Sequence, residues 1–325
     1  MTLPLQPPIP PQLARPRKGL PAEEDGWAYE PKWDGFRTLV FLDGDDVHLQ
    51  SRGGKPMARY FPEITFPPGL HAILDGELVI DAPDGAGQTF DTLSQRIHPA
   101  ASRVAMLAET TPARYVAFDL LADGDESLLD VPYGERRQRL EAWVERHDPA
   151  GGGHPFSLTP MVGTAAEADR WLHEAEGVIA KHLDAPYRPG KRDGMVKIKR
   201  MRTLDAVVVG WRPGKAAGTV GSIMLGAYDD AGHLRVIGHS SGFSAKEKRE
   251  LVERLRPFET GERGMGDPSR WRPDEDLEWI SLRPELVVEV TYDHASDGRI
   301  RHGTKVQRWR EDKAPRECLV DQLEH

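Results

Sequence analysis

A change of character after Thr203 constrains the fold more than any other feature of the chain. Before it, short apolar runs rich in β-branched and aromatic residues predict strands over 27–31, 37–42, 72–80, 115–121, 177–181 and 195–199. Between these runs, Leu140, Trp143 and Val144 show helical spacing, and Ala168, Trp171, Leu172 and Ala175 repeat it. Gly151, Gly152 and Gly153 mark a loop. After Thr203, strands are expected over 206–211, 222–228, 234–239 and 286–292, separated by glycine-bearing turns. One helix, 244–256, interrupts them, with Ser244 as N-cap and Glu247 at the capping-box position. Strands mixed with helices predict an α+β domain; short strands with one helix predict a small β-barrel of the OB-fold kind. The expected organisation is a proline-rich arm over 1–22, an α+β domain over 23–202 and the β-rich domain over 203–325.

Charge and cysteine usage narrow the partners. The net charge of -9 is unevenly spread. From Arg188 to Lys215 nine Lys/Arg face two acidic residues, and from Arg299 to Arg316 seven face two, leaving -21 for the rest. Two basic segments on an acidic body suit docking of phosphates, although solvated charged stretches account for them equally well. A single cysteine, Cys318, excludes an internal disulfide and a multi-cysteine zinc module within this chain, and a reducing cytoplasm is the expected compartment. The first residues lack the apolar core of a secretory signal and read as an extended arm or linker. No apolar run is long enough to cross a bilayer, so no membrane partner is expected.

The stretch Glu30-Pro31-Lys32-Trp33-Asp34-Gly35-Phe36-Arg37 is the most informative for chemistry. An Asp-Gly turn with a nearby lysine is usually no more than an exposed turn. Yet a turn directly after a strand can hold a lysine at a pocket floor, and an amine attacks phosphorus only when deprotonated in a desolvated or cation-rich site. Strand parity adds two pairs. Lys197 and Lys199 would share a face opposite Val196 and Ile198, which suits a polyphosphate but also an edge strand facing water. Asp75 and Glu77 would share a face opposite Leu74, Leu78 and Ile80. Strict alternation would set Lys181 opposite Glu176. His182, His239 and His302 have no metal-ligand spacing, and Trp211 and Trp271 are expected in core packing.

Taken in order, Glu30–Arg37, Ser51-Arg52-Gly53, Asp75-Gly76-Glu77-Leu78, Phe118-Asp119, Glu176-Gly177-Val178-Ile179-Ala180-Lys181 and Met195-Val196-Lys197-Ile198-Lys199 resemble motifs I, Ia, III, IIIa, IV and V of the covalent nucleotidyltransferases. Arg308-Trp309-Arg310-Glu311-Asp312-Lys313 resembles motif VI of the DNA-ligase OB domain. The wording, including Gly-His-Ser-Ser-Gly-Phe at 238–243, is similar to bacterial ATP-dependent DNA ligases of the ligase C and ligase D type. The resemblance implies an adenylation (nucleotidyltransferase) domain followed by an OB-fold domain that rotates between steps. It implies that Lys32 carries AMP, Glu30 reads the adenine amino group and Phe118 stacks on the base. Arg37 and Arg52 would contact the nucleotide or DNA end, and Lys181, Lys197 and Lys199 the nucleotide. Arg308, Arg310 and Lys313 would engage the β- and γ-phosphates, and Glu77 and Glu176 would bind Mg²⁺ (or Mn²⁺). ATP, nicked double-stranded DNA and repair proteins are the implied partners of a monomer. RNA ligases and capping enzymes share these motifs, and a non-catalytic OB-domain DNA-binding protein is the reading from another class. An NAD-dependent ligase is disfavoured because its four-cysteine zinc module cannot be built from Cys318.

Overall fold

The computed structural model describes residues 3–81, 88, 90–148, 155–199, 202–265, 278–296, 298–302 and 304–323, so the expected loop at 151–153, Arg200 and Trp271 lie outside the described residues, as does the side chain of His302. The chain divides into two compact units, 1–200 and 201–325.

Among the described residues, ten strands build the first unit: β1 Arg15–Pro16, β2 Trp27–Pro31, β3 Phe36–Gly44, β4 Asp46–Ser51, β5 Leu70–Val79, β6 Arg114–Asp123, β7 Glu126–Ser127, β8 Phe156–Leu158, β9 Val178–His182 and β10 Met195–Ile198. They form two sheets. One has the order β4-β3-β5-β6-β7, with β8 parallel to β6; the other has the order β1-β10-β9-β2. The larger sheet has two apolar faces, as the alternation in β5 requires. Leu74, Leu78 and Ile80 join a core containing Leu93, Leu140, Trp143 and Phe156. Leu93 belongs to α1 (Phe90–Ser94), whereas Leu140 and Trp143 come from α3 (Tyr133–His147), beyond α2 (Ala101–Thr110). On the opposite face Ile73 packs with Leu39, Phe41, Leu121, Leu3 and Ile9. The proline-rich arm is thus extended, but it is packed against the sheet rather than a free linker.

The spacing around Trp171 produces two short helices, α4 (Ala165–Ala168) and α5 (Trp171–Glu174). Ala168 and Trp171 are buried against Tyr29, Val178, Ala180 and Ile198 of the smaller sheet. The connection between β2 and β3 carries the chain from one sheet to the other. Its Gly35 passes so close to β5 that a Cβ would sit 2.1 Å from the Leu78 carbonyl oxygen.

The second unit contains β11 Arg202–Pro213, β12 Val220–Tyr228, β13 Leu234–Ser240, β14 Glu259–Met265, β15 Glu278–Leu282, β16 Val287–Tyr292, β17 His294–Ser296, β18 Arg299–His302 and β19 Lys305–Trp309. Its helix α6 (Ala245–Leu255) has the expected capping box, with Ser244 Oγ accepting from the Glu247 amide. β11 is the branch point. It pairs with β12 on one edge; along the other, 202–207 pair with β16 and 210–211 with β15. Two irregularities, at Val208/Gly210 and Arg212/Pro213, bend β11 and allow one strand to serve three partners. The expected closed barrel is corrected here: among the described residues no ladder joins β13 to β14 or β19, so the seven-stranded sheet stays open. Trp211 is 7% exposed within this unit's core, as its apolar context suggested.

Candidate active site

An open cavity of about 180 Å³ lies between the two sheets of the first unit. Lys32, directly after β2, lines it together with Glu30, Arg37, Arg52, Glu77, Phe118, Lys181 and Lys197. Eight of the residues singled out in the sequence therefore meet around one space. Parity explains one of them: Lys197 lines the cavity, with Met195 on the same face, whereas Val196 and Ile198 pack into the core of the smaller sheet.

Lys32 Nζ donates to Glu176 Oε2, and its next contact is the Trp33 carbonyl at 3.4 Å. The other Glu176 oxygen accepts from Lys199 Nζ at 2.6 Å. Burial pushes Lys32 down from 10.5 to about 8, helped by the positive charges of Lys199 and Lys197 and opposed by Glu77 and Asp34. Enclosure also pushes the Glu77 carboxyl up to about 7, against the pull of Arg37 and Lys32.

The expected conflict between Lys181 and Glu176 is resolved by Gly177. Its φ of +141° lies where L side chains are rarely found, and a Cβ there would sit 2.2 Å from the Ile198 carbonyl oxygen. Regular alternation begins only at Val178, so Glu176 reaches Lys32 while Ile179 and Lys181 face the cavity from β9. The Gly177 carbonyl also accepts from the Lys32 amide at 2.9 Å, fixing the backbone beneath the lysine.

Glu30 is only 2% exposed. Its carboxylate receives the Tyr133 hydroxyl, pairs with Lys181 at 2.9 Å and lies 3.5 Å from Arg137. Phe118 is 7% exposed, with Arg37 4.4 Å and Lys181 4.7 Å from its ring centroid. A base stacking there would share the ring with those cations. Arg37 is gripped by Asp75 through two bonds of 2.5 and 2.6 Å. Burial works against the guanidinium charge, and Asp75 overrides it.

Sequence reasoning missed several cavity residues. Pro11, Gln12, Leu13 and Ala14 of the arm line it, as do Trp33 and Arg192. Arg192 could have been suspected from the basic run around it. The arm residues gave no such signal, since a proline-rich stretch has no periodicity that points at a pocket.

In the second unit the C-terminal cations are held by acids. Arg308 bonds Glu289 at 2.8 Å. Arg310 bonds both Asp205 oxygens at 3.0 and 3.1 Å and Asp312 at 2.9 Å, while Lys313 pairs with Asp205 at 3.1 Å. Arg308 and Arg310 both approach Glu289, in keeping with a shared face.

Among the described residues no group of three or more His, Cys, Asp or Glu is arranged to hold a metal. Glu77 and Glu176 still fit Mg²⁺, which commonly takes one or two carboxylates and completes its shell with phosphate and water oxygens. A cation beside Glu77 would favour the charged carboxylate that burial disfavours.

Two family models match the chain: the ATP dependent DNA ligase domain over residues 11–199 and the ATP dependent DNA ligase C terminal region over 216–313. The chain is 47% identical to DNA ligase C1 of Mycolicibacterium smegmatis and 41% identical to DNA ligase C of Mycobacterium tuberculosis. Each alignment takes in 100% of this chain and 96% of the relative. Among solved structures, the ligase domain of M. tuberculosis LigD is similar, with 30% identity and a TM-score of 0.51 over 96% of this chain and 98% of that one.

Proposed function

The chain belongs to the ATP-dependent DNA ligases, and we propose that Lys32 is the residue on which AMP is carried. The observation that supports this best is a lysine at a cavity floor whose burial and cationic neighbours lower its pKa to about 8. At pH 7 about a tenth of such amines are neutral, several hundredfold more than for an ordinary lysine. In the first step Lys32 Nζ attacks the α-phosphorus of ATP. The N–P bond forms, the P–O bond to pyrophosphate breaks, and Glu176, already bonded to Nζ, accepts the proton. The DNA 5′-phosphate then displaces the lysine, and the neighbouring 3′-hydroxyl displaces AMP to seal the nick.

Around that reaction the cavity residues take the roles their chemistry suits. Phe118 and Ile179 supply apolar walls for the base, and Glu30 approaches its amino group. Lys197, Lys199, Lys181, Arg37 and Arg52 offset phosphate charge. Bound Mg²⁺, held by Glu77 and by Glu176 once its lysines turn to phosphate, would stabilise charge on the phosphoryl oxygens. Arg308, Arg310 and Lys313 are assigned to the leaving pyrophosphate, and the second unit to an OB-fold domain that moves between steps. A groove there, lined by Lys215, Lys248 and Arg249, suits the backbone of the nicked duplex. A role in DNA repair in the cytoplasm, as a monomer, completes the reading.

The test is incubation with α-labelled ATP or GTP and Mg²⁺, followed by a denaturing gel. Label should enter from ATP, leave in acid as a phosphoramidate does, and be absent in Lys32→Ala. Label persisting in that variant would overturn the assignment. Sealing of a nicked DNA duplex but not an RNA duplex is expected in parallel.

A further inference from the structure

The arm meets the cavity through one residue with an unusual set of bonds. Gln12 is 4% exposed, and both ends of its side-chain amide are engaged by the 188–193 loop. Its Nε2 donates to the Asp193 carbonyl, and its Oε1 accepts from the Arg188 amide at 3.3 Å. Its backbone is engaged as well. The Gln12 amide donates to the Tyr187 hydroxyl oxygen at 2.9 Å, and that hydroxyl donates to Asp75 at 2.6 Å. Asp75 grips Arg37, whose Nη2 returns to the Gln12 carbonyl at 3.4 Å. The four residues close a ring of hydrogen bonds joining the arm, the loop after β9, β5 and β3.

We infer that Gln12 is a positioning residue for ATP, fastening the arm as a wall of the cavity and fixing the edge of Arg37 that faces the nucleotide. The inference rests on the assignment of this cavity to ATP. Four further contacts carry it. The Leu13 amide donates to Lys191 O at 2.8 Å, seating the arm on the loop that brings Arg192 to the cavity. Arg15 pairs with Asp193 at 2.6 Å on the far side of that loop. Beyond it, β1 adds a parallel strand to β10, whose Lys197 lines the same cavity, and the Arg17 amide donates to the Lys197 carbonyl at 3.0 Å. Arg37 spends Nε and Nη2 on Asp75 and Gln12, so its Nη1 is the nitrogen to which no partner is assigned within the ring. Loosening Gln12 would let the wall and that nitrogen drift together, weakening ATP binding while leaving Lys32 and Glu176 in contact.

Two variants test this. Gln12→Ala removes the side-chain bonds, and Tyr187→Phe breaks the ring without touching the arm's sequence. Both should raise the KM for ATP in lysyl-AMP formation by about five- to twentyfold, with kcat within about twofold and the thermal midpoint within a few degrees. Gln12→Ala should also speed tryptic cleavage at Arg17 and Lys18 in the absence of ATP. An unchanged KM in both variants, or losses that simply follow a fall in the thermal midpoint, would overturn the inference. Failure of the wild-type chain to take label at Lys32 would instead overturn the underlying assignment.

Discussion

A lysine can serve as a nucleophile near neutral pH only if its surroundings favour the free amine, and burial together with four charged residues sets that balance for Lys32. Burial and the charges of Lys199 and Lys197 disfavour the ammonium; Glu77 and Asp34 favour it. The outcome, a pKa of about 8, has a direct kinetic signature. Deprotonation is required for attack, so the rate of lysyl-AMP formation should rise about tenfold between pH 6 and 7, about fivefold more by pH 8, and level off above about 9. Single-turnover adenylation across that range measures it. Lys197→Met removes one of the lowering charges and should move the rise toward higher pH. A rate independent of pH between 6 and 8 would mean that the amine is not the titrating group. The lysine's place directly after a strand was legible as a local pattern, whereas its candidacy as nucleophile came from the ordered series of segments that resemble the family's motifs. Its altered acidity was not, because it depends on burial that only the folded chain creates and on Lys197 and Lys199, more than 160 positions away.

Alternation within a strand carries side chains to predictable faces until something resets its phase, and Gly177 is that reset. With φ at +141° and no room for a Cβ beside Ile198 O, it turns Glu176 toward Lys32 and starts β9 one residue later than the apolar run suggested. Gly177→Ala meets both a disfavoured backbone conformation and a clash, together costing about 2–4 kcal/mol. The thermal midpoint should fall by about 5–15 °C. Adenylation should fall at least tenfold at temperatures where the variant is still folded, because Glu176 loses its alignment. Melting curves paired with the labelling assay separate the two effects, and full activity in a stable variant would refute the positioning role. Strands whose composition announces them were read closely at most of their ends: 27–31 matched β2, whereas 206–211 lies inside β11 and leaves out its first four residues. β4, with Asp46 and His48 diluting its apolar residues, and β14, whose residues are mostly exposed, had too little pattern to read. The barrel expectation failed for a related reason. Counting strands does not disclose that one bent strand pairs with three others.

Charge distribution acts on the whole molecule, and the structure changes what the sequence count implied. Sixteen Lys/Arg fall in the two basic segments. Many already have acidic partners: Arg188 with Asp130, Lys199 with Glu176, Arg308 with Glu289, Arg310 and Lys313 with Asp205. Phosphate must compete with these pairs, so the segments cannot present their full count to DNA at once. If all sixteen neutralised phosphates, log K for a nicked duplex would fall with log salt at a slope of about -14. Paired cations should reduce this to about -4, a loss of affinity on the order of a hundredfold between 50 and 200 mM salt. The groove of Lys215, Lys248 and Arg249 supplies a way to apportion that slope. Lys248→Ala with Arg249→Ala should make it shallower by about two if both side chains contact phosphate, and should leave adenylation by ATP unchanged. Electrophoretic or anisotropy titrations of a nicked duplex at several salt concentrations measure both values. A flat response would place DNA binding outside the electrostatics of this chain, whereas a slope near -14 would require the ion pairs to open as DNA docks. An intermediate slope that the double variant leaves unaltered would move the duplex away from this groove and toward the basic residues bordering the nucleotide cavity.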